Sequence, residues 1–193
     1  MPGSSLWLLP PIGHPLNDLL PTLIDQTSSH FNSPHRFLPH VTLTSDISPS
    51  LYSQDAQAWL NSLQLPTKSD ISVQFEALGS EDVFFRKLYI KCEKNDGIKQ
   101  LGKMCRTFVK GFEENEAAHE WVETSYTPHL SLLYHDCPQV DADGLLVVER
   151  LAKDVGIAFQ GEITPNTWEG GRVVLVPTDK PINQWNPIAE RSL

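Results

Sequence analysis

Two short phrases in this chain pair an imidazole with a hydroxyl. Residues 39–43 read Pro-His-Val-Thr-Leu and residues 128–132 read Pro-His-Leu-Ser-Leu, separated by nearly half the chain. The alternation is that of a β-strand, so His40 and Thr42 share one face, and Val41 and Leu43 the other. His129 and Ser131 likewise lie opposite Leu130 and Leu132. Imidazole titrates near neutrality and can take or give a proton at physiological pH. Two imidazoles on opposite sides of a phosphorus atom form a base and an acid for in-line displacement, and the hydroxyls of Thr42 and Ser131 can donate to the phosphate oxygens as charge develops on them. Such a scheme requires neither metal nor cofactor.

Taken singly, a histidine on a strand with a hydroxyl two positions on is ordinary strand composition. Repetition in equivalent settings is what singles out these two. The other histidines, His14, His30, His35, His119 and His135, show no ligand-like spacing, and neither a GxSxG elbow nor a P-loop is present. Cys92, Cys105 and Cys137 have neither CxxC nor metal-ligand spacing, which predicts reduced, mostly buried thiols, with one disulfide as the alternative.

The elements that must position these residues follow from periodicity. A first strand is expected over 5–10 and an amphipathic helix from Pro15 to about Ser29, with Leu16, Leu19, Leu20, Leu23 and Ile24 on one stripe and Pro21 as a potential kink. The first histidine strand spans 36–45, followed by turn residues Asp46–Ser50 and a helix over 55–63. Alternation at Ile71, Val73, Phe75 and Ala77 predicts a strand returning as a hairpin over Phe84–Cys92. A helix carries Ile98, Leu101, Cys105, Phe108, Val109 and Phe112, and an acidic bridge over 113–123, with another helical turn as an open reading, leads to the second histidine strand. A helix over 141–155, strands near 157–164 and 172–177 around Gly170-Gly171, and an irregular tail tacked down by Trp185 complete the chain. The order places each histidine strand between helices, as a duplication would, and points to an α+β fold with mainly antiparallel sheets. A length of 193 residues suits one domain, 1–193, of two lobes.

Composition narrows the partners. A formal charge of −9 with no Lys/Arg cluster argues against tracking along duplex DNA or long RNA, so an anionic ligand is expected to be small and held locally. The N-terminal residues lack the basic region and long apolar run of a signal peptide, and no stretch approaches a membrane span. A soluble, cytoplasmic monomer is the expectation.

With those residues in view, His40-Val-Thr42 and His129-Leu-Ser131 resemble the paired HxT/HxS signature of the two-histidine phosphoesterase superfamily, and within it the fungal and plant cyclic phosphodiesterases. Ser5-Leu-Trp7-Leu and Ser131-Leu-Leu-Tyr134 are similar to the same family's pattern. The resemblance implies a bilobal fold of two antiparallel sheets with pseudo-two-fold symmetry and a central cleft. It also implies metal-free opening of 2′,3′-cyclic nucleotides, or of ADP-ribose 1″,2″-cyclic phosphate, to 2′-phosphates or ADP-ribose 1″-phosphate. By family position His129 activates water, His40 protonates the departing oxygen, and Thr42 and Ser131 grip the phosphate; the two histidine roles are open to reversal. Trp7, Phe85 and Tyr134 match positions that contact substrate, with Phe84 the alternative to Phe85 and core packing the alternative reading for all three. Family likeness also implies a possible Golgi association. The rival readings are an RNA 2′-5′ ligase or 2′-5′ phosphodiesterase of the same superfamily, and a non-catalytic nucleotide-phosphate binder.

Overall fold

The computed structural model describes residues 3–159 and 166–193. The elements run β1 (Ser4–Leu9), α1 (Leu16–His30), β2 (Val41–Ile47), α2 (Ala56–Ser62), β3 (Ser72–Gly79), β4 (Leu88–Cys92), α3 (Asp96–Arg106), α4 (Asn115–Thr124), β5 (His129–Leu133), α5 (Ala142–Asp154), β6 (Thr167–Glu169), β7 (Arg172–Pro177) and β8 (Ala189–Ser192). The strands form one antiparallel sheet in the order β6-β3-β4-β5-β2-β1-β7-β8. The two expected sheets are its halves, four strands each, and a single residue pair, Val41 opposite Leu130, joins them. The histidine strands β2 and β5 are the innermost strand of each half, which gives the sheet its pseudo-two-fold layout.

Alternation divides the side chains between the two faces. Leu6 and Leu8 of β1, Val41 and Leu43 of β2, Leu130 and Leu132 of β5, and Val173 and Leu175 of β7 pack with the apolar stripes of the helices in the main core. Trp7 and Leu9, with Val174 and Val176, face the other way into a smaller, aromatic cluster with Tyr134 and Trp185. β1 is therefore buried on both faces, as suits a strand paired on both edges. Helix α1 runs unbroken through Pro21, the cost of the missing donor being offset by full burial of Leu16, Leu20 and Leu23. The tight turn between β6 and β7 needs its glycines: Gly170 and Gly171 have φ of +65° and +131°, and a Cβ on Gly171 would fall 2.5 Å from the Leu9 carbonyl oxygen.

Several boundaries differ from expectation. The helix expected to reach Phe112 ends at Arg106, and Gly111, at φ +90°, lies in the reversal that leads into α4. The helical turn left open for the acidic bridge is a ten-residue helix, α4. The hairpin return begins with a helical turn at Phe84–Arg86, and extended pairing starts only at Leu88. Of the strand expected over 157–164, Ile157–Phe159 are not strand and the rest lies outside the described residues. The tail is not irregular: β8 adds an edge strand to β7, and Arg191 Nη1 donates to the carbonyls of Leu60, Asn61 and Leu63 at the end of α2.

Trp185 is buried, and its indole nitrogen donates to the Lys180 carbonyl at 2.7 Å. Trp185→Ala is expected to cost about 3 kcal/mol in urea unfolding; a change near zero would mean that the tail is not part of the folded core.

Candidate active site

The two motifs hold their histidines in the same way. His40 Nδ1 lies 2.6 Å from the Leu38 carbonyl oxygen and His129 Nδ1 lies 2.8 Å from that of Thr127, each reaching back two residues across a proline. A carbonyl only accepts, so Nδ1 carries the hydrogen in both rings and the Nε2 lone pair is left free on the opposite side. This gives the prolines of the motif a local purpose: fixed φ at Pro39 and Pro128 constrains the backbone that carries the accepting carbonyl.

The seam brings the motifs together. His40 and Thr42 flank Val41, and His129 and Ser131 flank Leu130, so the one pair that joins the half-sheets brings both motifs to the seam. The four residues thus form a quartet at the seam. The imidazoles are close enough for a charge on either ring to oppose protonation of the other.

Their surroundings are dry. His40 is 4% exposed and its ring stacks on Trp7, centroids 3.6 Å apart and planes 9° from parallel. Burial drives its pKa down to about 3, against the opposing pull of the Leu38 carbonyl. His129 is half-buried, with the Tyr89 ring edge-on at 5.2 Å. Its pKa is also lowered, first by burial and then by the Arg86 charge, while the Thr127 carbonyl and Glu81 oppose the shift. Burial thus favours the neutral form of both imidazoles.

The hydroxyls differ. Thr42 is half-buried and lines a cavity beside His129. Ser131 is buried and donates to the Phe85 carbonyl at 3.1 Å, so it must turn before it can donate to a ligand. Phe85 is held there by a zipped pair of loops. Lys87, a buried charge that periodicity does not single out, pairs with Asp82 and donates to the Cys137 carbonyl, while Ser80 accepts from the Val140 amide.

The three aromatic positions are all near the quartet, with unequal access. Trp7 is 1% exposed beneath His40, and Tyr134 is 4% exposed, stacked on Phe37 with its hydroxyl toward Ser131. Phe85 keeps a half-exposed ring, stacked at 5.9 Å on Trp185. Since Phe84 and Phe85 occupy a helical turn, they are not on opposite faces, and both rings approach Tyr134. Tyr134 follows the last residue of β5, which releases it from the period of two.

Sequence reasoning missed Tyr89, opposite Ser131 across β4–β5, together with Arg86 and Phe37. Arg86 directly follows Phe85, an available signal; Phe37 and Tyr89 carried none, because their proximity depends on pairing and loop path. All three cysteines are free. Among the described residues no three His, Cys, Asp or Glu side chains converge as a metal site, and no helix is long and apolar enough to cross a membrane.

This architecture and paired site place the chain in a class. Over residues 1–193 it matches the family described as cyclic phosphodiesterase-like protein, and it belongs to that family, within the two-histidine phosphoesterases. It is 62% identical over 193 residues, covering all of both chains, to a protein of Phaeosphaeria nodorum named 2′,3′-cyclic-nucleotide 3′-phosphodiesterase. A Neurospora crassa protein of the same name is 39% identical, again with full coverage of both. The crystal structure of E. coli LigT complexed with 3′-AMP superimposes with a TM-score of 0.55 at 13% identity, covering 100% of this chain and 99% of that one, which is a likeness of fold.

The lowered pKa of His40 has a consequence for stability. Between pH 6.5 and about 3 the unfolded chain binds more protons than the native one, so the stability due to neutral His40 is full above pH 6.5 and is lost as pH falls through that window. Urea unfolding at pH 7 and pH 4 is expected to show a smaller loss for His40→Asn than for the wild type. Equal losses would place the acid sensitivity elsewhere.

Proposed function

We propose that the protein hydrolyses 2′,3′-cyclic nucleotides to 2′-phosphates by acid–base catalysis with His40 and His129. The observation that carries this is the equivalence of the two imidazoles: each is fixed through Nδ1 to the carbonyl two residues back, each has Nε2 free, and they flank one seam. Full-length relatives named for this activity support it.

His129, half-buried beside a cavity, is within reach of water and takes its proton as the water oxygen attacks phosphorus. The bond from phosphorus to the 3′ oxygen breaks, and enclosed His40 supplies the proton to that oxygen. Phosphate is left on the 2′ oxygen, and solvent exchange restores both rings. Burial alone makes His40 too acidic to hold a proton near neutrality, but an anion within about 4–6 Å favours its charged form. The bound phosphodiester itself thereby charges the acid. Thr42 and Ser131 donate to the non-bridging oxygens, Ser131 after releasing Phe85. Trp7 orients His40 by stacking, Tyr134 acts through Ser131, and Phe85 offers the ring on which a base can stack.

Small cyclic nucleotides and ADP-ribose 1″,2″-cyclic phosphate suit this site, and the charge of −9 disfavours long nucleic acid. A cytoplasmic, metal-free monomer is part of the same reading.

Each of His40→Ala and His129→Ala is expected to lower turnover of adenosine 2′,3′-cyclic phosphate at least about a hundredfold, with the native circular dichroism retained; phosphorus NMR should identify a 2′-monoester as the wild-type product. EDTA is expected to leave turnover unchanged, and loss restored by zinc would overturn the acid–base scheme. Because both pKa values lie below 6.5 in the free protein, kcat/KM should peak below pH 6.5 and decline towards alkaline pH. The alkaline limb of kcat, which reports the complex, should lie higher. A kcat/KM optimum above pH 8 would contradict the pair.

A further inference from the structure

Each histidine of the pair has an aromatic neighbour on the next strand outward, at an equivalent register. Trp7 of β1 stands opposite Thr42, and Tyr89 of β4 stands opposite Ser131. Each ring thus lies beside its motif's hydroxyl residue, on the strand that flanks the histidine strand. Trp7 stacks on His40. Tyr89 meets His129 with ring centres 5.2 Å apart and planes at 67°, within the range of a favourable edge contact.

The Tyr89 ring is seated at its far end. Its partner across the β3–β4 pair is Gly79, and a Cβ there would fall 2.7 Å from Tyr89 Cζ and 2.8 Å from its hydroxyl oxygen. The ring therefore lies across space that any other residue at position 79 would fill, a close approach that explains a glycine inside a strand. Beyond Gly79 the Tyr89 hydroxyl donates to Glu81 Oε1 at 2.8 Å. The same carboxylate oxygen pairs with Arg86 at 2.6 Å, and the Glu81 amide donates to the Arg86 carbonyl at 3.1 Å. Glu81 thus ties down both Tyr89 and Arg86, which flank His129.

The charged and titratable groups around His129 come from several elements. Arg86 and Glu81 lie before β4, Tyr89 and Lys91 on it, His40 at the start of β2, and Arg106 and Tyr126 across the cavity. Glu81 is the carboxylate among them. It offsets the Arg86 charge, which opposes protonation of His129.

We propose that Tyr89 is the positioning residue of His129, as Trp7 is of His40, and that Glu81 anchors its ring across Gly79. The inference rests on the acid–base reading above and adds the residues that aim its base. Tyr89 acts through its ring, because its hydroxyl is engaged by Glu81. The competing account is that Tyr89 only fills the core.

The test combines kcat and KM for adenosine 2′,3′-cyclic phosphate with NMR of the His129 ring, assigned by its loss in His129→Ala. The proteins are the wild type, Tyr89→Leu, Tyr89→Phe, Gly79→Ala and Glu81→Gln. In Tyr89→Leu kcat should fall about a hundredfold, as a misplacement of about 1 Å allows, with KM little changed. The His129 resonances should lose the shift imposed by the edge-on ring, while those of His40 keep their positions. Tyr89→Phe keeps the ring and should recover most of the loss. Gly79→Ala leaves Tyr89 in place in the sequence but displaces its ring, so it should resemble Tyr89→Leu. Glu81→Gln keeps a partner for the hydroxyl and removes the charge opposing Arg86, so the His129 titration should move to lower pH. Wild-type kcat in Tyr89→Leu, or an equal loss in the Leu and Phe variants, overturns the role of the ring. His129 resonances unchanged in both Tyr89→Leu and Gly79→Ala leave core filling as the account, whatever kcat does. An unmoved titration in Glu81→Gln overturns the part given to Glu81. If the wild type opens no cyclic phosphate, the activity reading fails, and the His129 resonances alone then uphold or overturn the positioning.

Discussion

One backbone pairing, Val41 with Leu130, governs the rest of the structure. Two four-stranded half-sheets meet there and nowhere else along the β2–β5 ladder among the described residues. Backbone pairing fixes register, and a slip of one residue would exchange the faces of every side chain on the slipped strand. It would bury the imidazoles among Leu6, Leu8 and Leu132 and expose the leucines instead. The hydrophobic face of each histidine strand therefore does more than stabilise: Val41, Leu43, Leu130 and Leu132, all fully buried, make the register that aligns the quartet the favourable one. Because the ladder is so short, the strands separate immediately beyond it, and room for a ligand arises beside the reactive groups.

Desolvation is the second constraint, and it cuts both ways. The aromatic cluster around Trp7 excludes water from His40 and holds it uncharged. A neutral imidazole costs the folded protein little, yet an acid catalyst must be charged. The reaction proposed here reconciles these demands through the substrate, whose anion supplies the counter-charge only when it is bound. Partly open His129 has no such requirement. The functional asymmetry thus comes from environment, since the two motifs are nearly identical in sequence and in the way they tether Nδ1.

Local chemistry was readable wherever it is carried by near neighbours. The paired motifs, the alternation that puts histidine and hydroxyl together, the stripe of α1 and the Gly170-Gly171 turn all appear in the structure. Phe84 and Phe85 show where this stops: alternation suggested a strand, but a helical turn held by Lys87, Ser80 and Val140 places both rings on one side. The tail misled for a related reason, since β8 is an edge strand stabilised by β7 and by the end of α2, partners remote in sequence.

By itself the sequence determined the chemical vocabulary: which residues can exchange protons, that they come in two equivalent sets, and which face of each strand is wet. Tertiary structure decided which strands are neighbours, that Trp7 lies under His40, that Ser131 is engaged by Phe85, and that Arg86 and Arg106 converge from separate elements on the cavity beside His129. The division has a physical basis. Periodicity and turn preference act within a few residues of chain, whereas burial, field and pairing partner are set by groups brought together across it.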